Sequence, residues 1–164
     1  QSFNYNYGKD YLKIPQAIAR EETRTLLGLD GRKMSKSYGN TIPMFASEEE
    51  LYRLVMRIKT NSQTVEEPKD PETCTIFAIY RSFATPEQTE ALRRRYLAGG
   101  MSWKEAKEEL FKVLNAQLTP LRERYNELIS QPDNIKRILE EGSVRASELA
   151  AKKIKELRQV IGVD

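Results

Sequence analysis

From residue 47 onward the apolar residues recur three and four apart, a spacing that commits this stretch to amphipathic helices. The signals that open and close those helices are explicit. Ser47 with Glu50 makes a capping box ahead of Leu51, Leu54, Val55 and Ile58. Asp70-Pro71 pairs an N-cap with a proline at the first helical position, and predicts a run through Ile76, Ile79, Tyr80 and Phe83. Thr85-Pro86-Glu87-Gln88 repeats the device before Leu92 and Tyr96, and Gly99-Gly100 stops that helix. Ser102 with Glu105 opens the longest helix, with Phe111, Leu114, Leu118, Leu121, Tyr125 and Leu128 along one face. Pro120 lies inside it and predicts a kink or a division there. A shorter helix from about Asp133 is expected to end at Gly142, and a last one to run from Ser143 through Ala150, Ile154, Leu157 and Ile161.

The first 45 residues follow a different pattern. Two short apolar groups, Tyr11-Leu12-Lys13-Ile14-Pro15 and Thr25-Leu26-Leu27-Gly28-Leu29, are broken by proline, glycine and aspartate. Pro15 disfavours helix at Ile14, so short extended segments or loops are expected. So little sheet would complete one begun upstream. The first methionine is Met34, and no charged stretch followed by an apolar block opens the chain. The expectation is therefore a piece of a longer protein, with a boundary between its two regimes near 43–47.

With 39% hydrophobic and 31% charged residues, the composition is that of a globular chain rather than a disordered one. Cys74 is the single cysteine, which excludes an internal disulfide and a cysteine-built metal cluster. No stretch has the apolar length of a membrane-spanning helix, so no membrane partner is expected. The net charge of +3 is concentrated: residues 1–45 hold seven Lys/Arg against four Asp/Glu, leaving twenty of each beyond. The basic residues gather around Arg20, Arg24, Arg32, Lys33 and Lys36, which suggests a phosphate-bearing ligand.

That cluster contains Asp30-Gly31-Arg32-Lys33-Met34-Ser35-Lys36-Ser37-Tyr38-Gly39-Asn40. Lys33 and Lys36 flank small hydroxyl residues, and Gly31 and Gly39 free the backbone on either side. Hydroxyls and exposed N–H groups can bond phosphate oxygens while the ammonium groups neutralise their charge. Lysine suits a loop that closes over a triphosphate and reopens, because its charge rides on a long, adjustable stem.

Lys33-Met34-Ser35-Lys36-Ser37 matches the Lys-Met-Ser-Lys-Ser signature of class I aminoacyl-tRNA synthetases. Its setting resembles the tryptophanyl-tRNA synthetases: Phe3-Asn4, Tyr7-Gly8 and Ile14-Pro15, then Gly28 to Arg32 before the loop and Tyr38-Gly39-Asn40 after it. The likeness continues through Leu114, the run Leu121 to Tyr125, Ile138-Leu139, Gly142, Ala146 and Ala150. The resemblance implies a mainly α chain: residues 1–45 would end a class I Rossmann-type α/β catalytic domain, and 46–164 would form a helical anticodon-binding domain. It implies Lys33 and Lys36 as catalytic contacts to ATP phosphates, Lys36 stabilising the departing pyrophosphate. Met34, Ser35 and Ser37 would shape the ATP-binding loop, which is expected to be mobile without nucleotide.

ATP accompanied by Mg2+, tryptophan and tRNA(Trp) are the implied substrates, and a cytoplasmic homodimer the implied assembly, with no metal site in this part. The family's second, histidine-containing signature cannot lie within a chain that has no histidine. Alone, the chain is therefore expected to be inactive. For RNA contact the candidate patches are Arg93-Arg94-Arg95 and the group Arg145, Lys152 and Lys155, each weighed against an ordinary solvated helix face. Two alternatives stay open: another class I synthetase such as a tyrosyl enzyme, and a helical interaction module whose lysine–serine loop is regulatory.

Overall fold

The computed structural model describes residues 1–18 and 25–163. Arg20 and Arg24 of the basic cluster lie outside them. The chain divides into two compact units, Gln1–Ile18 with Glu127–Asp164, and Ala19–Asn126.

In the second unit, α2 (Glu48–Met56) begins as predicted, the Ser47 hydroxyl accepting the Glu50 N–H at 3.1 Å. At its end the Lys107 ammonium donates to the Met56 carbonyl at 2.9 Å, a side chain substituting for the missing next turn. Partial burial lowers that lysine's pKa.

Helix α3 (Thr75–Arg81) begins later than Asp70-Pro71 suggests. The Asp70 carboxylate accepts the Glu72 N–H and the Thr73 hydroxyl, both at 2.9 Å, and so closes a turn of its own. Local side-chain bonds of this kind compete with helix, and Cys74 takes the N-cap position instead.

Helix α4 (Pro86–Ala98) has the full capping box: Gln88 N–H to Thr85 Oγ1 at 3.3 Å, and Thr85 N–H to Gln88 Oε1 at 2.9 Å. Its terminal Gly99 does more than stop the helix. A Cβ there would stand 2.4 Å from the Glu66 carbonyl oxygen, so the 59–70 connection can approach only a glycine. Lys69 in that connection is 1% exposed, its ammonium donating to the Thr64 and Glu67 carbonyls at 2.9 and 3.2 Å.

Helix α5 (Trp103–Ile129) opens on the predicted Ser102–Glu105 box and runs through Pro120 undivided. Ala106, Leu110, Leu114 and Leu118 bury against Leu51, Val55, Ile76, Phe77, Leu92 and Tyr96 in one core. Tyr96 is fully buried, which pushes its phenol well up; its oxygen accepts the Cys74 thiol at 3.7 Å. In the last third of α5 the Arg122 guanidinium donates to the Ala46 carbonyl at 2.6 Å, and Tyr125 stacks on Phe45 at 4.3 Å.

The first unit contains α1 (Ser2–Tyr7), a helix absent from the sequence reading of loops and extended segments. Gly8, at φ 66°, ends it in a left-handed cap. The buried Asn4 amide accepts the Leu12 N–H at 2.9 Å and donates to the Leu12 carbonyl at 2.6 Å, tying the following segment back on the helix. The other element is α6 (Pro132–Ile161), one helix where two were expected. Gly142 has ordinary helical φ, so it does not break the run. One glycine costs a helix about 1 kcal/mol, less than opening two new ends with four unbonded groups each. Among the described residues no strand forms; β pairing there is limited to an antiparallel bridge between Leu27 and Lys33.

Candidate functional site: the lysine–serine loop

The bridge belongs to a tight hairpin. Gly28 N–H donates to the Arg32 carbonyl at 2.7 Å, Gly31 N–H to that of Gly28 at 3.0 Å, and Met34 N–H to that of Leu26 at 2.9 Å. Past Met34 the chain makes one 3-10 turn, Lys36–Tyr38, closed by Gly39 at φ 61°. The five signature residues thus straddle a junction, Lys33 and Met34 on the second arm of the hairpin and Lys36 and Ser37 on a turn, with Ser35 at the position just before the turn. Lys33, Lys36 and Ser37 are exposed, Met34 and Ser35 half-buried. The Ser35 and Ser37 hydroxyls lie 2.9 Å apart, so one of them already holds a proton between them.

Beneath the junction sits Asn40, 3% exposed. Its side-chain oxygen accepts the Ser35 N–H at 2.8 Å, and its amide nitrogen donates to Asp30 Oδ1 at 2.7 Å and the Lys33 carbonyl at 3.3 Å. Its main-chain carbonyl accepts the Leu29 N–H at 3.0 Å. Asp30 turns outward to Arg32, accepting from its main-chain N–H at 3.1 Å and from Nε at 2.7 Å. The Arg32 guanidinium lies 4.5 Å from the centre of the Tyr38 ring.

The Asn40 hydrogen bond is the chief reason the Asp30 carboxyl stands at about 2, and Arg32 adds hydrogen bonds and charge. Its folded pKa lies below the ordinary aspartate value of about 3.9. The linked stabilisation is therefore present above that value and is lost as pH falls through about 2.

The loop does not stand apart from the helical core. Leu29, 7% exposed, is a member of it, and its carbonyl accepts the Lys59 N–H at 2.9 Å. The arrangement therefore presents two ammonium groups and two hydroxyls to solvent from a backbone anchored in a packed domain. Chemically it can gather and neutralise phosphate oxygens.

The arginine run offered for RNA carries surface ion pairs, with Arg94 and Arg95 exposed. Arg93 pairs with Glu72 and, at 3.7 Å, with Glu90; Arg94 pairs with Glu90 at 3.8 Å and Arg95 with Glu109 at 3.4 Å. Arg145 donates to the Glu141 carbonyl on its own helix at 3.4 Å.

Asn40, Asp30 and Gly28 were legible in the sequence only as neighbours of the signature. Nothing in local spacing brings together an aspartate and an asparagine ten residues apart.

Comparison with known proteins agrees with the loop. The family model for class I tRNA synthetases (W and Y) matches residues 1–119. The tryptophan–tRNA ligase of Xanthomonas campestris pv. campestris is 43% identical over 164 residues, covering 99% of this chain and 38% of that protein. That of Pseudomonas aeruginosa is 44% identical over 165 residues, covering 99% and 37%. The crystal structure of tryptophanyl-tRNA synthetase from Campylobacter jejuni complexed with ADP and tryptophan superposes with a TM-score of 0.82 at 38% identity, covering 98% of this chain and 50% of that one. The chain thus spans well under half the length of the curated relatives it matches. Signature, fold and relatives agree: the chain belongs to the class I tRNA synthetase family of the tryptophan and tyrosine enzymes.

Proposed function

We propose that this chain is the part of a tryptophan–tRNA ligase that closes over ATP and carries helices for tRNA(Trp). The observation that carries the reading is the Lys33-Met34-Ser35-Lys36-Ser37 loop, its two lysines exposed, seated on a hydrogen-bonded base. In the full-length enzyme the tryptophan carboxylate attacks the α-phosphate of ATP, pyrophosphate leaves, and the acyl group passes to the terminal ribose of the tRNA. Lys33 and Lys36 neutralise phosphate charge, Lys36 most where it grows as pyrophosphate departs. Met34, Ser35 and Ser37 shape the loop and supply main-chain and hydroxyl contacts.

Mg2+ arrives with the nucleotide's phosphates and belongs to the substrate. Among the described residues no cluster of three or more His, Cys, Asp or Glu stands ready for a metal ion.

We divide the work at residue 45: residues 1–45 complete the catalytic domain and 46–164 bind the anticodon arm. That division crosses the two compact units, because Leu29 shares the core of α2 to α5. A homodimer working in the cytoplasm, where translation proceeds, completes the reading. Among the described residues no helix is long and apolar enough to cross a membrane.

The test is ATP–pyrophosphate exchange by a full-length protein carrying this chain, with each amino acid supplied in turn. Exchange that responds to tryptophan alone supports the reading. Exchange with tyrosine keeps the family and discards the substrate; none at all, from folded protein, favours a non-catalytic helical module. The chain by itself is expected to give no exchange, since no histidine signature is within it.

A further inference from the structure

We propose that Asn40 is a positioning residue for the signature lysines, acting with Asp30 as a latch that fixes the backbone on both sides of Met34. The proposal rests on the synthetase reading above and assigns a role within the same site.

Asn40 bonds the Lys33 carbonyl and the Ser35 N–H with one planar amide. These groups bracket Met34, so the amide sets the orientation of the peptides from which Lys33 departs and on which the Lys36 turn begins. An asparagine side chain has both donors and an acceptor, and this use needs both kinds. Aspartate at this position would set a second carboxylate where the nitrogen now lies 2.7 Å from Asp30 Oδ1. Alanine would leave the Ser35 N–H without its acceptor and the Asp30 oxygen with the Arg32 N–H alone.

Two further features hold the amide in place. Gly28 lies against it so closely that a Cβ there would be 2.5 Å from its side-chain carbon and nitrogen and 2.6 Å from the Asn40 carbonyl oxygen. On the other side Asp30 is held by Arg32, which is in turn seated on Tyr38 of the 3-10 turn. The chain of contacts therefore runs from the hairpin through Asn40 and returns to the turn. Asn40 is buried and the Asp30 carboxylate is taken up by Asn40 and Arg32, so each acts through the lysines. Misplacement by about 1 Å of groups that neutralise a transition state costs on the order of 10²-fold in rate.

The experiment uses the full-length synthetase carrying this chain, and measures tryptophan-dependent exchange per active site, counted by burst titration of adenylate. Asn40→Ala and Asp30→Ala are made alone and in the Lys36→Ala background. The expected result is a fall in kcat of about 10²-fold for Asn40→Ala and a smaller fall for Asp30→Ala, with KM for tryptophan unchanged. In the Lys36→Ala background the Asn40→Ala loss should largely vanish, because the latch has lost the group it positions. A purely structural role would lower the number of active sites and leave kcat per site intact. If Asn40→Ala does not fold, Asp30→Ala decides, since its loss leaves the buried amide in place.

Wild-type kcat in the folded variants overturns the latch, as does an Asn40→Ala loss that is equally large with and without Lys36. Full exchange by Lys36→Ala alone would instead overturn the synthetase reading of the loop.

Discussion

The core of α2 to α5 is packed by apolar side chains: Leu51, Val55, Ile76, Phe77 and Leu110 are at 0% exposure. Around the signature loop the backbone is held by a polar network about one buried amide, while Lys33 and Lys36 stand in solvent. Apolar burial is non-directional and gives stability roughly in proportion to area. A hydrogen-bonded amide contributes little net stability but dictates direction. The molecule therefore keeps what must be stable and what must be aimed in different kinds of contact. The two meet at Leu29, where the loop hairpin enters the core.

The comparison breaks first at Lys36. Lys36→Ala in the full-length protein should lower kcat for exchange by about 10²–10³-fold and leave the thermal midpoint unchanged. Leu110→Ala should do the reverse, costing about 2–5 kcal/mol in denaturant unfolding while the molecules that remain folded exchange normally.

A third region sharpens the contrast, since α6 has the apolar period of a packed helix yet no buried residue, with Leu139 at 67% and Leu149 at 75% exposure. A Cβ at Gly142 would meet nothing within 4 Å, so Gly142→Ala should stabilise by about 1 kcal/mol, read as a raised midpoint. Smallest of all, Arg94→Gln removes only a solvated pair with Glu90 and should change stability by less than about 0.5 kcal/mol. A loss of tRNA affinity from that substitution would support the arginine run as an RNA contact.

Much of this architecture is legible before any coordinates. Ser47, Thr85 and Ser102 mark helix starts because their hydroxyls meet donors three residues on, a purely local geometry. Asp70 misleads because the same carboxylate serves a turn equally well. Gly142 misleads because a lone glycine weakens a long helix without ending it. Helix α1 is hidden in six residues too few to show a period. Periodicity also overstates burial, since Leu121 and Tyr125 continue the α5 face but are 47% and 39% exposed. Of the site, the lysines and serines are read from their motif. The Asn40 latch is a tertiary contact, and only its neighbourhood shows in the sequence.

One paired measurement tests most directly the claim that chemistry resides in the loop and stability in the core. Tryptophan-dependent exchange per folded molecule and the unfolding midpoint are determined together for full-length wild type, Lys36→Ala and Leu110→Ala. The account predicts that Lys36→Ala falls on the activity axis alone and Leu110→Ala on the stability axis alone. If Lys36→Ala retains full exchange, or lowers the midpoint as far as Leu110→Ala does, the loop is structural and the account is wrong.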